Sequence, residues 1–143
     1  MRNIIFFCPF IFDGGLEKTL QIYANYFSNN YKVFVVTNCN YSLNIKFSKK
    51  VKVINPRNKF FLNSRYLNNL YCIYLIFKNF DKNSIIFSMQ DHIFILLTKI
   101  FYKKNFRYIL RTANPIINDK NIYEQRNYSY KNRLIKKLTI LIY

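Results

Sequence analysis

In 143 residues the chain has two glycines, three prolines, three cysteines, one histidine and no tryptophan, and six acidic side chains against 23 lysines and arginines. Each shortage removes a class of function. The two glycines are adjacent, as Gly14-Gly15, so the dinucleotide fingerprint GxGxxG and the GxxxxGK[ST] phosphate loop are both missing, and NAD binding and ATP hydrolysis lose support. Cys8, Cys39 and Cys72 are odd in number, far apart and never in a CxxC pair. With His92 as the lone histidine they form no metal-ligand cluster, so no metal is expected, and the thiols read as buried and free in a reducing compartment. No carboxylate pair is evident for acid/base hydrolysis and no nucleophile–base–acid triad can be assembled, which argues against a hydrolase. Long apolar runs are also missing, since a membrane helix needs about 20 residues. Leu70–Phe77 and Ile93–Tyr102 are short, and the second contains Lys99. The apolar start Ile4–Phe12 runs straight into Asp13-Gly14-Gly15 without a small-residue cleavage site, so no signal peptide is read and a cytoplasmic protein is expected.

What is present is a core. Apolar residues make up 51% of the chain and aromatics 20%, too many for a disordered segment and enough for one domain. The net charge of +17 reads two ways. It is the footprint of a partner such as nucleic acid or anionic lipid. It is equally the product of an A+T-rich genome, because Lys, Asn, Ile, Tyr and Phe are inflated together.

The apolar pattern changes period along the chain. Asn3–Phe7 is a short apolar run closed by Pro9 and Gly14-Gly15, a buried strand. Leu16, Leu20, Tyr23, Ala24 and Phe27 then recur at three- and four-residue steps, the stripe of an amphipathic helix. Val33–Thr37 and Val51–Ile54 are strands by their β-branched content, with the polar stretch Cys39–Lys50 between them. Ser64 caps a helix expected over Arg65–Phe80, with Leu67, Leu70, Tyr71, Tyr74 and Phe77 on its apolar side. Ser84–Phe87 is the fourth strand. Asp91 opens a helix of about a dozen residues ending at Lys103-Lys104, where basic charge suits the dipole. Arg107–Leu110 is the fifth strand, and Tyr130–Tyr143 reads as a further helix. Such alternation predicts an α/β fold, an open, mainly parallel, Rossmann-like sheet of about five strands with helices on both faces. The expected order places the first strand centrally, the second and third to one side, the fourth and fifth to the other. A crevice then opens where the winding reverses, beyond the carboxyl ends of the strands.

Three loops face that crevice, and the chain's most distinctive residues fall in them. Gly14-Gly15 opens the first helix, where bare backbone N–H groups and the dipole favour an anion. The same pair also fits a tight turn that needs positive φ. Glu17 in the first helical turn complements the dipole. His92 sits near the start of the helix after the fourth strand, where a neutral ring is favoured and one donor plus one acceptor can orient a sugar hydroxyl. A capping or surface histidine fits as well. Arg111, with Asn114-Pro115 behind it, ends the fifth strand, a place suited to phosphate or carboxylate recognition.

These residues carry a resemblance. Asn3-Ile4-Ile5-Phe6-Phe7, Pro9 and Gly14-Gly15-Leu16-Glu17-Lys18, leading to a helix and then Lys32-Val33-Phe34-Val35-Val36-Thr37, resemble the N-terminus of family 4 glycosyltransferases, retaining enzymes of the GT-B fold. Ile85–Asn114 is similar to that family's fourth strand, third helix and fifth strand. The resemblance implies a hexosyl-type transferase that uses a nucleotide sugar as substrate, without a cofactor, and a glycan or lipid-linked acceptor. It implies a glycine loop at Gly14 and Gly15 near the donor diphosphate, His92 as the catalytic histidine, and Arg111, Asn114 and Glu17 in the acceptor cleft. The family's Glu-x7-Glu donor motif has no counterpart here, so residues 1–143 are expected to form the acceptor-side domain alone, with the donor domain possible on a separate chain. The basic surface is expected to make peripheral contact with anionic membrane. The alternative reading is a non-catalytic basic protein on nucleic acid or anionic membrane, because aromatics and basic residues interleave in Lys59–Tyr74 and Tyr102–Tyr108.

Overall fold

Strands that must be buried on both faces need continuous apolar runs, and two segments of this chain supply them. In the computed structural model, which describes residues 2–12, 14–39, 45–81, 83–101 and 106–111, β1 (Asn3–Phe7) and β2 (Lys32–Val36) form the middle of a five-stranded sheet. β3 (Val51–Ile54) lies outside β2, while β4 (Ile85–Ser88) and β5 (Arg107–Leu110) extend from the other edge of β1. Every pairing is parallel and the order is β3-β2-β1-β4-β5, as the sequence predicts. All described residues belong to the compact unit Met1–Arg111. The helix expected at 130–143, the candidate Asn114 and the lysine pair at 103–104 lie outside the described residues.

Alternation along the strands divides the core into two layers. Ile4, Phe6, Val33, Val35 and Phe87 point to one face, against Leu20 and Ala24 of α1 (Gly15–Phe27). Ile5, Phe7, Val36 and Ile86 point to the other face. There they meet Cys72, Ile73 and Ile76 of α3 (Arg65–Asn79) and Ile95 of α4 (His92–Phe101). Phe6 stacks on Phe87 with ring centroids 5.0 Å apart, and Phe34 meets Phe80 edge-on at 4.7 Å. No helix among the described residues is long and apolar enough to cross a membrane.

Two local details differ from the sequence expectation. A single helical turn, α2 (Lys59–Leu62), precedes α3, capped by the Asn58 side chain, which accepts from the Phe60 amide. Four residues are too few to leave a periodic signal. More consequential is the orientation of α3, whose Ser64 cap is where the sequence places it. Of the expected apolar side, Tyr71 and Phe77 pack partly buried against the core, Leu67, Leu70 and Tyr74 face outward, and Asn68, Asn69, Cys72, Ile73, Leu75 and Ile76 are buried. The helix is apolar most of the way round, so hydrophobic spacing alone does not select its inner face. Two asparagines whose carboxamides bond inside the fold fix the choice.

This orientation is directly measurable. Ile73→Ala is expected to destabilise the fold by about 2–5 kcal/mol, because it opens a cavity. Leu70→Ala, at a position 54% exposed, is expected to change stability by no more than about 0.5 kcal/mol. Equilibrium urea unfolding of the two variants checks the pair, and equal losses would contradict the observed face.

Candidate functional site at the switch point

All strands run the same way, so the loops that leave their carboxyl ends share one edge of the sheet. Between β1 and β4 the order reverses, and backbone hydrogen bonds carry the ladder a step further there. The Met89 amide donates to the Phe7 carbonyl at 3.1 Å, and the Arg111 amide donates to the Ser88 carbonyl at 3.0 Å. Gln90 joins the loops across the gap, its Nε2 donating to the Phe10 carbonyl at 2.7 Å. Nothing in the sequence marks Gln90, since a lone glutamine in a loop has no periodic or motif signature.

The glycine turn is not explained by backbone conformation. Neither glycine has positive φ, and Gly14, the N-cap of α1, is extended with no side-chain capping bond. A Cβ at Gly14 would come within 2.8 Å of the Glu17 carboxylate, whereas one at Gly15 would meet nothing within 4 Å. Glu17 is only 6% exposed. Its Oε1 accepts from the Phe12 amide at 3.2 Å, so the carboxylate reaches back across the helix start and holds the preceding loop, as the glutamate of a capping box does. Phe10 and Phe12 stack at 6.0 Å, continuing the same loop towards Gln90.

His92 and Arg111 are brought together. His92 Nε2 lies 2.6 Å from the Arg111 carbonyl and Nδ1 lies 2.8 Å from Ser88 Oγ. A carbonyl only accepts, so Nε2 carries the hydrogen, and in the neutral ring Nδ1 accepts from the Ser88 hydroxyl. Burial lowers the His92 pKa, the Arg111 carbonyl bond and Asp91 oppose that shift, and the Arg111 charge adds to it. Both ring nitrogens are therefore engaged inside the fold, and the side chain ties the start of α4 and the end of β4 to the end of β5. On protonation Nδ1 would become a donor, and the Ser88 hydroxyl would turn to the Gln90 carbonyl, 3.1 Å away. The Arg111 side chain is different, because its Nη1 is buried and has no hydrogen-bond partner among the described residues. Among the described residues no hydrogen bond joins Gly14 or Gly15 to His92 or Arg111. One chain of contacts between the two clusters runs through Phe12, Phe10 and Gln90.

The turn before α4 carries one more feature that the sequence does not announce. Asp91 has φ of 53°, a left-handed conformation uncommon outside glycine and tolerated best by Asn and Asp. Its carboxylate receives both Arg65 Nε, at 3.3 Å, and Arg65 Nη2, and also Asn69 Nδ2 at 3.0 Å. Among the described residues this is the one ion pair. It ties the first turns of α3 to the rim of the crevice. No group of three or more His, Cys, Asp or Glu that could hold a metal occurs among the described residues.

No protein-family model matches the chain, and a search of curated proteins finds no match.

The His92 environment yields a pH dependence of definite sign. The folded-state pKa lies below the ordinary 6.5, so below that pH the unfolded chain binds more protons than the folded one. The His92 contribution is then fully present above about pH 6.5 and is lost as pH falls through the folded value. The melting temperature is expected to drop between pH 7.5 and pH 5 more steeply for the native chain than for His92→Gln. Parallel pH profiles for the two proteins would refute this.

Proposed function

We propose that this chain is the acceptor-side half of a retaining, hexosyl-type GT-B glycosyltransferase, moving a sugar from a nucleotide sugar to a glycan or lipid-linked acceptor. The observation that carries the reading is the buried, partnerless Arg111 Nη1 at the carboxyl end of β5. A buried guanidinium N–H left unpaired costs free energy, and a phosphate oxygen or sugar hydroxyl in the crevice would satisfy it. Gly15 supports the same reading, since the fold leaves open space where its Cβ would be. The uncapped start of α1 adds backbone donors and a positive dipole end at the adjoining loop.

On this reading Arg111 meets the acceptor, and the amides of Gly14 and Gly15 approach the donor diphosphate. Glu17 holds the glycine turn, and His92 positions Arg111 by gripping its carbonyl. The donor-binding half, with its own phosphate ligands, belongs outside these 143 residues. Charge on the departing diphosphate needs donors preorganised from both halves. The nucleotide sugar is a substrate, and the reading calls for no metal or cofactor.

A second observation favours a surface role. Phe60, Tyr66, Leu67, Leu70 and Tyr74 are exposed on α2 and α3, with Lys59, Arg65 and Lys78 beside them in sequence. Aromatic and basic side chains in this mixture suit the interface of an anionic bilayer. Such contact serves a lipid-linked acceptor, and it also fits a non-catalytic basic protein on membrane or nucleic acid.

Arg111→Met and Gly15→Ala separate a ligand site from a folding role. Both are expected to keep or raise the melting temperature, while abolishing the amide shifts that a pyrophosphate-linked sugar acceptor induces around Gly15, Gln90 and Arg111 in the native chain. Destabilisation by both variants with no ligand-induced shifts, or sugar transfer by the purified 143-residue chain, would sink the half-site reading. For the surface, the pair Leu67→Glu and Leu70→Glu is expected to lose sedimentation with phosphatidylglycerol vesicles at unchanged stability. Retained binding would exclude this face.

A further inference from the structure

The amino ends of the strands form the edge opposite the crevice, and a cavity of about 310 Å³ opens there. Asn3, Lys32, Val33, Phe34, Lys50 and Lys52 line it. Lys32 begins β2, Lys50 immediately precedes β3 and Lys52 is the second residue of β3. The register pairs Val33 with Val51 and Phe34 with Lys52, so Lys32 and Lys50 stand across from each other one step earlier. Lys32, Phe34 and Lys52 share one face of the sheet by strand alternation.

Three ammonium groups are thus held on neighbouring strands around one concavity. Like charges set opposite one another on adjacent strands destabilise a sheet. Among the described residues none of the three takes part in an ion pair, and none of the residues lining the cavity is acidic. Phe34, braced edge-on by Phe80, provides an apolar wall beside the charges. Asn3 adds a carboxamide whose Nδ2 donates to Ser84 Oγ at 3.5 Å, leaving its oxygen to accept from a ligand. Codon composition explains many lysines in a chain. It does not explain three on one concave wall with no acid among them.

We propose that this amino-edge cavity binds a phosphate group of a small ligand, at a site separate from the switch-point crevice. Lysine is a compact charge that holds phosphate without demanding bidentate geometry, and three of them suit a di- or multiply charged anion. The concave shape and small volume fit a metabolite-sized molecule better than a flat bilayer. The apolar wall at Phe34 gives a place for the non-phosphate part of that molecule. The site does not depend on the transferase reading.

The test is titration calorimetry of the 143-residue chain with pyrophosphate at low ionic strength, with phosphatidylglycerol vesicles as a separate arm. In the Arg111→Met chain, where the crevice guanidinium is gone, one saturable pyrophosphate site is expected, together with a rise in melting temperature on binding. The double variant Lys32→Gln, Lys52→Gln should weaken it at least about tenfold, because two charge-assisted contacts are lost. Lys18→Gln, Lys99→Gln removes the same charge at exposed positions elsewhere and should weaken it less than about twofold. Loss of this binding from the Arg111→Met chain when Lys32 and Lys52 are also replaced separates this cavity from the crevice. If vesicles bind through Lys32 and Lys52 while pyrophosphate does not, the small-ligand site is overturned in favour of a lipid contact. Absence of saturable binding in both arms, or equal losses in the two double variants, overturns the proposal.

Discussion

One carbonyl oxygen, that of Pro9, holds the carboxyl-terminal edge of this sheet together. It accepts from the Asn38 amide, from Thr37 Oγ1 and from Asn68 Nδ2, each at 3.2 Å. Those donors come from the loop after β2 and from α3, while Pro9 itself belongs to the loop after β1. Asn68 Oδ1 in turn accepts from Asn38 Nδ2 at 2.6 Å, and Asn38 Oδ1 accepts from the Asn58 amide at 2.7 Å. Asn55 exchanges bonds in both directions with the Cys39 backbone. A parallel sheet ends in loops whose buried peptide groups have no ladder partner, and unpaired buried groups of this kind are costly. Carboxamides are suited to the task because each offers a donor and an acceptor from one planar group. With the loops after β1, β2 and β3 locked in this way, the path of the chain from Cys8 to Phe12 is set before any ligand arrives.

The crevice extends the same logic to the other half of the sheet. Gln90 takes the carbonyl of Phe10, and His92 takes the carbonyl of Arg111. In each case a side chain from the loop or helix after β4 satisfies a backbone oxygen of a neighbouring loop. The result is a rim in which most polar atoms are already paired. Against that background the unpaired Arg111 Nη1 stands out, as does Asn69 Oδ1, buried without a partner behind the Arg65–Asp91 pair.

Much of the architecture was legible because burial on two faces leaves a plain signature. Ile4-Ile5-Phe6-Phe7 and Val33-Phe34-Val35-Val36 admit few readings other than inner parallel strands, and the strand order follows from the alternation with helices. The location of Arg111 and His92 on one edge follows from that order. Their roles did not. The Ser88 partner of His92 and its grip on the Arg111 carbonyl depend on side-chain directions, which spacing does not encode. Glu17 is at a helix start, as read, but it bonds the Phe12 amide two residues before the cap. The asparagine lattice was hidden by composition, because asparagine is abundant throughout this chain and a buried one looks like an exposed one in sequence. The inner face of α3 is only partly legible for the same reason, since spacing does not show that Asn68 and Asn69 are buried.

The three thiols acquire a use from where they lie. Cys8 and Cys39 are packed in the layer beneath α1, Cys72 in the layer beneath α3, and all three are buried. Burial pushes the Cys8 and Cys72 thiols well above their ordinary range, so neither offers thiolate while the fold is closed. A thiol reagent therefore reads exposure rather than intrinsic reactivity, and the two sides of the sheet carry separate reporters. Modification of Cys72 ahead of Cys8 and Cys39 would mean that α3 detaches while the α1 layer stays intact. Simultaneous modification would mean that the sheet opens as one cooperative unit.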